Sequence, residues 1–322
     1  MNSVVLIMGP TGAGKTDLAM RLSDRLPVEI VSVDSAMVYR GLDIGTGKPD
    51  AETLRRYPHH LVDILDPSQA YSAGQFVRDA HRLIAEIHAR GRVPLLVGGT
   101  MLYFRALRRG IAAMPVANPA IRAQINAEAA QLGWPELHAQ LARIDQRAAA
   151  RIQPNDGQRI QRALEVFRIT GSSLSDLHAA AAPLDSGFNF ITTAWIPGVR
   201  ERLYEAIDTR FHTMMERGLL GEVEQLFHRG DLKPELPALR SVGYRQLWEH
   251  LSGAVELKEA VTNAIFATRH LARRQLIWLR AENDIRVFDP LESAAGAQME
   301  QFVAAHCSHR EHRYERIKVP QY

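Results

Sequence analysis

Over the first hundred residues, short and wholly apolar runs alternate with longer segments of helical period. Val4-Val5-Leu6-Ile7-Met8 is the first run, and the segment after it carries Leu18, Ala19, Leu22 and Leu26 on one face. Val28 to Val33 is a second run, ending at Asp34-Ser35. Ser72 caps a helix whose Phe76, Val77, Ala80, Leu83, Ile84 and Ile87 share one side, and Gly91 ends it. Val93-Pro94-Leu95-Leu96-Val97 is a further strand, stopping at Gly98-Gly99-Thr100. Strands and helices alternating at these lengths predict an α/β fold, a parallel sheet with helices on both faces. Ligands of such sheets sit beyond the carboxyl ends of the strands, where Lys15, Asp34 and Thr100 all fall.

Near Met114-Pro115 the pattern changes. From about Pro119 to Ala182 only helical period remains, in a stretch rich in Ala, Arg and Gln. Phe188 to Ile196 reads as a strand returning to the sheet, and Pro197 ends it. The expected division is a catalytic core from 1–115 and 188–322, with an all-helical insertion domain at 116–187. Ordinary crossover helices packed on the sheet are the alternative. From Arg200 onward the chain reads as helical, closing in a basic tail (Arg310, Arg313, Arg316, Lys318) that reads as a frayed terminus.

Between the first strand and the first helix lies Gly9-Pro10-Thr11-Gly12-Ala13-Gly14-Lys15-Thr16, in the order a phosphate-binding loop requires. Gly12 and Gly14 let backbone N–H groups turn inward, and the helix start adds its positive dipole end. Lys15 can reach the more exposed phosphate, and the Thr16 hydroxyl is placed to ligate Mg²⁺. The sheet is therefore expected to be P-loop NTPase-like. Hydrophobic residues make up 46% of the chain and charged residues 23%, an ordinary balance for a water-soluble fold. No apolar run approaches the length of a membrane span. Cys307 is the only cysteine, which excludes a disulfide framework and points to a reducing cytoplasm. A formal charge of +3 does not decide for or against nucleic acid, so the placement of the arginines matters.

Arg210 falls within an apolar stripe of Leu203, Ala206, Ile207, Phe211 and Met214. A buried guanidinium needs an anionic partner, either a core carboxylate or the phosphates of a ligand opposite Lys15. On the helix near 257–280, Leu257, Val261, Ala264, Ile265, Thr268, Leu271, Ala272, Gln275 and Leu279 make the packed side. Arg269, Arg273 and Arg280 share another, with Arg274 and His270 beyond them. Such a stripe is either a solvated face or a surface for a sugar–phosphate backbone, and its single sign favours the latter. Gln158, Arg159 and Arg162, with Arg122 upstream, add a similar cluster in the insertion.

A nucleoside triphosphate kinase or hydrolase would ordinarily place a carboxylate after a second apolar strand, and Leu96-Val97 leads instead into Gly98-Gly99. Asp34 offers different chemistry: a carboxylate beside the phosphate site can take a proton from an incoming nucleophile. It can equally serve as a cap for the segment after Ser35 or bind Mg²⁺ through water.

Several blocks together resemble the tRNA dimethylallyltransferase family. They are Gly9 to Thr16, then Val33-Asp34-Ser35-Ala36-Met37-Val38-Tyr39-Arg40-Gly41-Leu42-Asp43-Ile44-Gly45-Thr46-Gly47-Lys48-Pro49, and Val97-Gly98-Gly99-Thr100-Met101-Leu102-Tyr103. Further along come Gln158-Arg159-Ile160-Gln161-Arg162-Ala163-Leu164-Glu165-Val166 and Arg240-Ser241-Val242-Gly243-Tyr244-Arg245-Gln246. The likeness runs from residue 3 to about Arg280. One departure is Asn155-Asp156-Gly157, where bacterial members more often have Asp-Pro beside the Gln-Arg pair.

The resemblance implies transfer of a dimethylallyl group from dimethylallyl diphosphate to the exocyclic N6 amine of an adenine. That adenine adjoins the anticodon on its 3′ side, in tRNAs reading codons that begin with U. It further implies that the P-loop, Mg²⁺ at Thr16 and Arg210 hold the leaving diphosphate, that Asp34 is the general base, and that Thr100 hydrogen-bonds near the attacked centre. The anticodon stem-loop would be gripped by the Asp34-Ser35-Ala36-Met37 segment, Thr100, Arg122, Gln158 to Arg162, and Arg240 to Arg245. A cytoplasmic monomer is expected. Prenylation of a free adenine nucleotide and a nucleotide switch that binds RNA are the competing readings.

Overall fold

A computed structural model describes residues 2–110, 112, 114–180 and 187–307; the basic tail from Arg310 lies outside them. In chain order the elements are β1 (Ser3–Met8), α1 (Lys15–Arg25), β2 (Val28–Val33), α2 (Ala51–Arg56), β3 (His59–His60), α3 (Ala73–Ala89), β4 (Val93–Gly98) and α4 (Met101–Arg109). The helical stretch contains α5 (Pro119–Leu132), α6 (Trp134–Ile144), α7 (Gln146–Ala149), α8 (Gly157–Thr170) and α9 (Leu174–Ala180). The chain then continues through β5 (Asn189–Trp195), α10 (Arg200–Glu216), α11 (Leu219–Phe227), α12 (Tyr244–Leu251), α13 (Leu257–Arg280), β6 (Arg286–Phe288) and α14 (Ala295–Cys307).

The six strands form one sheet, ordered β3-β2-β4-β1-β5-β6, and every pairing is parallel. Parallel strands require crossovers, and these put helices on both faces. On one face Val5, Ile7, Ile30, Leu95 and Val97 meet Leu18, Ala19 and Leu22 of α1 and Met299 and Val303 of α14. The intervening Val4, Leu6 and Met8 are equally buried, as strands covered on both sides demand. The Ser72–Gln75 capping box starts α3, whose Phe76, Ala80, Leu83, Ile84 and Ile87 are buried; such a cap is worth about 1 kcal/mol.

Two strands and one helix position differ from the sequence-based expectation. β6 interrupts the stretch expected to be wholly helical after Arg200, and β3 adds an edge of only two residues. Both are too short to show a period. Leu26 is the C-cap of α1, just past the helix, yet it packs half-buried against the same core as Leu18, Ala19 and Leu22.

By its internal contacts the chain divides into two compact units, Met1–Ala106 with Ser186–Tyr322, and Leu107–Asp185. The second unit thus begins within α4, upstream of the composition change at residue 116. Its core gathers Ile125, Leu137, Leu141, Ala148, Ile160, Ala163 and Leu164 from α5 to α8.

Candidate active site

The strand ends β1, β2 and β4 open onto a cavity of about 370 Å³ in the sheet-containing unit. Its wall includes Thr11, Gly12, Gly14, Lys15 and Thr16 of the P-loop, Asp34, Thr46 to Pro49, Gly98-Gly99, Arg210 and Gln275. Little side-chain bulk separates the strands here. A Cβ on Gly98 would stand 2.0 Å from the Val33 carbonyl oxygen, and one on Gly9 2.4 Å from that of Trp195. Only glycine permits these approaches.

The P-loop takes left-handed turns at Gly12 (φ 82°) and Gly14 (φ 76°), and Ala13 N–H donates to Pro10 O at 3.4 Å. Lys15 Nζ folds back to donate to Pro10 O at 2.6 Å. Burial, then the nearby Arg210 guanidinium, lower the Lys15 ammonium to about 7, with Asp34 opposing them. The Thr16 side chain makes no hydrogen bond among the described residues and stands at the cavity wall.

Gln275 holds the loop from the far side. Its Oε1 accepts from Thr11 N–H at 2.9 Å, and its Nε2 donates to Gly99 O at 2.9 Å. The period of α13 correctly assigns Gln275 to the packed side, but nothing in that period reveals that it staples two strand ends together.

Asp34 Oδ1 accepts from Ala36 N–H at 2.8 Å and Met37 N–H at 3.2 Å, while Oδ2 makes no hydrogen bond among the described residues. The capping role and the chemical role therefore fall on different oxygens of one carboxylate. Thr100 Oγ1 accepts from Ser35 N–H at 3.1 Å, which sets the Thr100 hydroxyl beside the turn carrying Asp34. Ser35 itself is exposed on that turn.

Leu203 and Ile207 of α10 lie against Gly12, and Arg210, one turn on, faces the cavity. Arg210 Nη2 donates to Thr46 O at 3.1 Å, and no carboxylate pairs with it among the described residues. Burial pulls its guanidinium below the ordinary range, opposed by Asp34 and Asp17 at a distance. The core salt bridge considered for this arginine is thus not formed. Ala206, placed on its apolar stripe by spacing, is exposed.

Lys48, inside the Val33–Pro49 block, is a further residue of the cavity wall, one that the sequence alone does not single out. It is buried, donates to Tyr39 O at 2.9 Å, and is paired with Asp43 and Asp63. His59 of β3 also joins the cavity wall; its Nδ1 lies 2.6 Å from Tyr57 O, and burial lowers the ring's pKa, favouring the neutral form.

The arginine-rich segments separate into two kinds. In the sheet-containing unit, Arg240 and Arg245 are exposed around the start of α12, with Arg245 3.5 Å from Glu249. Between them Ser241 and Val242 are half-buried and Gly243 is buried. Tyr244 is fully buried, so its expected contact with RNA is corrected: the ring packs inward and its hydroxyl donates to Glu222. Arg269, expected to lack an acidic companion, is paired with Asp208 of α10 and lies over the Tyr204 ring. Single-helix periodicity cannot show a partner 61 residues away.

In the helical unit, Gln158 and Arg159 are exposed on the first turn of α8, which Asp156 caps by accepting from Arg159 N–H at 3.2 Å. Ile160 is buried in the apolar core, so it is a packing residue and not a contact. Gln161 Nε2 donates to Asn126 Oδ1 at 2.6 Å. Arg122 and Arg162 both close on Glu165, at 2.8 Å and 2.6 Å. Burial pushes the Glu165 carboxyl up, but the two guanidiniums and Asn118 N–H more than reverse this and hold it below its usual range.

A family model described as IPP transferase matches residues 37–282. The chain is 55% identical over 285 residues to the tRNA dimethylallyltransferase of Thioalkalivibrio sulfidiphilus, covering 88% of this chain and 89% of that protein. It is 50% identical over 306 residues to that of Paraburkholderia xenovorans, covering 94% and 97%. Among solved structures, the full-length tRNA isopentenylpyrophosphate transferase from Bacillus halodurans matches with a TM-score of 0.70 at 36% identity, covering 95% of this chain and 97% of that one. A eukaryotic dimethylallyltransferase acting on tRNA shares the fold, with a TM-score of 0.78 at 24% identity over 95% of this chain and 79% of that one.

Proposed function

This chain belongs to the IPP transferase family, that of the tRNA dimethylallyltransferases, and from that premise we propose that it prenylates tRNA. The donor is dimethylallyl diphosphate, and the acceptor is the N6 amine of the adenine 3′ to the anticodon in tRNAs reading U-initial codons. The observation that carries this reading is one cavity lined by Lys15, Arg210 and an Asp34 whose Oδ2 is uncommitted, with glycines at the end of β4 where a nucleotide hydrolase would have a carboxylate.

Breaking the allylic C–O bond builds negative charge on the diphosphate. Backbone N–H groups of the P-loop, Lys15 and Arg210 line the cavity that receives it, and preorganised donors of this kind lower the barrier. The Thr16 hydroxyl, uncommitted at the wall, suits Mg²⁺, which takes few protein oxygens beside those of a phosphate substrate and would supply counter-charge there. The adenine amine is a poor nucleophile because its lone pair is delocalised into the ring. As the C–N bond forms, Asp34 Oδ2 accepts the amine proton while Oδ1 stays fixed by Ala36 and Met37. Thr100 and the Ser35–Met37 turn receive the base, which must leave its stack at a cost of a few kcal/mol.

Gln158, Arg159, Arg240 and Arg245 present exposed side chains to which we assign contacts with the anticodon stem-loop. Arg122 and Arg162 contribute the charge left after Glu165 takes its share.

Radiolabelled dimethylallyl diphosphate offered with an anticodon stem-loop, with AMP, or with ATP as competitor tests the assignment. Label should pass to the stem-loop alone, with ATP neither consumed nor inhibiting strongly. Preferred labelling of AMP would make the protein a small-nucleotide prenyltransferase, and ATP turnover without prenyl transfer would overturn the reading altogether.

A further inference from the structure

Behind the loop that accepts the Arg210 hydrogen bond stands a carboxylate that is not part of the cavity wall. Glu222, in the first turn of α11, gathers four donors. Its Oε2 accepts from Asp43 N–H at 3.0 Å and Ile44 N–H at 2.7 Å. Its Oε1 accepts from Gly45 N–H at 3.1 Å and from the Tyr244 hydroxyl. Neither Glu222 nor Tyr244 is part of the cavity wall. The next residue of the loop, Thr46, offers the carbonyl that accepts from Arg210 Nη2 at 3.1 Å.

The loop is held between two planes. A Cβ on Gly45 would stand 2.6 Å from the Tyr244 ring, and one on Gly47 would stand 2.0 Å from Arg210 Nη2. Gly45 therefore rests on the tyrosine, while two residues later Gly47 rests on the guanidinium. A carboxylate suits the anchoring point because it accepts at four lone-pair sites and donates nothing; a glutamine amide would turn two N–H groups toward donors. Arg210 in turn has one hydrogen bond and no ion pair among the described residues, so the Thr46 carbonyl sets the direction of its fork.

We propose that Glu222 and Tyr244 are positioning residues for Arg210, holding the 43–47 loop so that the guanidinium meets the charge growing on the leaving diphosphate. This rests on the reading that Arg210 stabilises that leaving group. It also gives Tyr244 a role distinct from its exposed neighbour Arg245: one faces the loop, the other solvent.

The test is a double-variant cycle on the full-length protein. Prenylation of an anticodon stem-loop gives kcat and KM, and inorganic diphosphate is the binding probe. Glu222→Gln should lower kcat by about 10–100-fold, the size of loss a misplaced catalytic group produces, and weaken diphosphate while leaving stem-loop affinity unchanged. Tyr244→Phe, which keeps the ring under Gly45, should lose less. Glu222→Gln combined with Arg210→Ala should be no worse than Arg210→Ala alone. Multiplying losses would overturn the proposal, as would a folded Glu222→Gln protein with normal kcat and diphosphate affinity. If Arg210→Ala alone left both quantities unchanged, the underlying reading would fail and the proposal with it. Should Glu222→Gln not fold, the same cycle run with Tyr244→Phe decides.

Discussion

Arginine is used in opposite ways at two places, one in each unit. In the helical unit Arg122 and Arg162 converge on Glu165, whose side chain is 0% exposed, and two guanidiniums share one carboxylate. At the cavity of the sheet-containing unit Lys15 and Arg210 face one another with no carboxylate paired to either among the described residues; burial weakens the hold of both on their protons, Arg210 adds to this for Lys15, and Asp34 opposes it for both. The first arrangement satisfies charge within the protein and stabilises a fold. The second leaves charge to be satisfied by something that arrives. Counting basic residues along a chain does not separate the two; the positions of the carboxylates do.

The largest expected effect lies at Asp34, the carboxylate that acts on both members of the unsatisfied pair. Asp34→Asn keeps an oxygen for the Ala36 and Met37 N–H groups but removes the base, so kcat should fall by about 10²–10⁴. Stem-loop affinity should scarcely change, because phosphate contacts supply most of it. Single-turnover rates with pre-bound stem-loop make the measurement, and a near-normal rate would reduce Asp34 to its capping role.

Next in size is the satisfied cluster. Glu165→Ala strands Arg122 and Arg162, which are 41% and 31% exposed and therefore partly rescued by water. The expected loss of stability is about 2–3 kcal/mol, below that of a fully buried pair. Replacing the three residues together by apolar ones of similar size should recover most of it. Denaturant titration distinguishes this from an idle surface cluster, whose removal would cost within about 0.5 kcal/mol.

The smallest effect is a proton. Lys15, lowered to about 7, is largely neutral at pH 8 in the free protein, and bound diphosphate favours its charged form. Binding at pH 8 should therefore take up protons, and uptake should fade below pH 7, where Lys15 is already charged. Calorimetry in buffers of different ionisation enthalpy reads this, with Lys15→Met as the control for protons exchanged by diphosphate itself. The same shift sets a stability slope. Between about 7 and the ordinary lysine value of 10.5 the unfolded chain binds the extra proton, so the penalty from burying Lys15 is full below pH 7 and is relieved as pH rises through that window.

Much of this was legible along the chain. The apolar runs at Val4–Met8 and Val28–Val33 are strands, the P-loop has its two left-handed glycines, and Lys15 and Asp34 line one cavity at the strand ends, though Thr100, expected at the same rim, is not part of its wall. Those features are local, or repeat with a period that one segment displays by itself. Glu222, Gln275 and Asp208 were not legible as partners. They act 177, 264 and 61 residues away from the groups they hold, and their own helices show only that they sit near a packed or polar side. Lys48 had a local signal: a lysine within a glycine- and proline-rich block that carries acidic neighbours. Ile160 and Tyr244 mislead for the opposite reason. A contiguous motif invites one role, while successive residues on a helix point in different directions.

The bare backbone at the strand ends has a consequence for how this site can change over generations. Where Gly98 meets Val33 and Gly9 meets Trp195, the strand ends under the cavity are peptide groups in near contact, and no side chain mediates. Drift in the surrounding side chains passes such a junction by, because its shape does not depend on them. A single added methyl group at either glycine, by contrast, has nowhere to go. The backbone shape is thus indifferent to most side-chain changes around it and brittle at these two glycines, and any laboratory effort to retune the donor should vary wall side chains that take no part in the chemistry and leave those glycines alone.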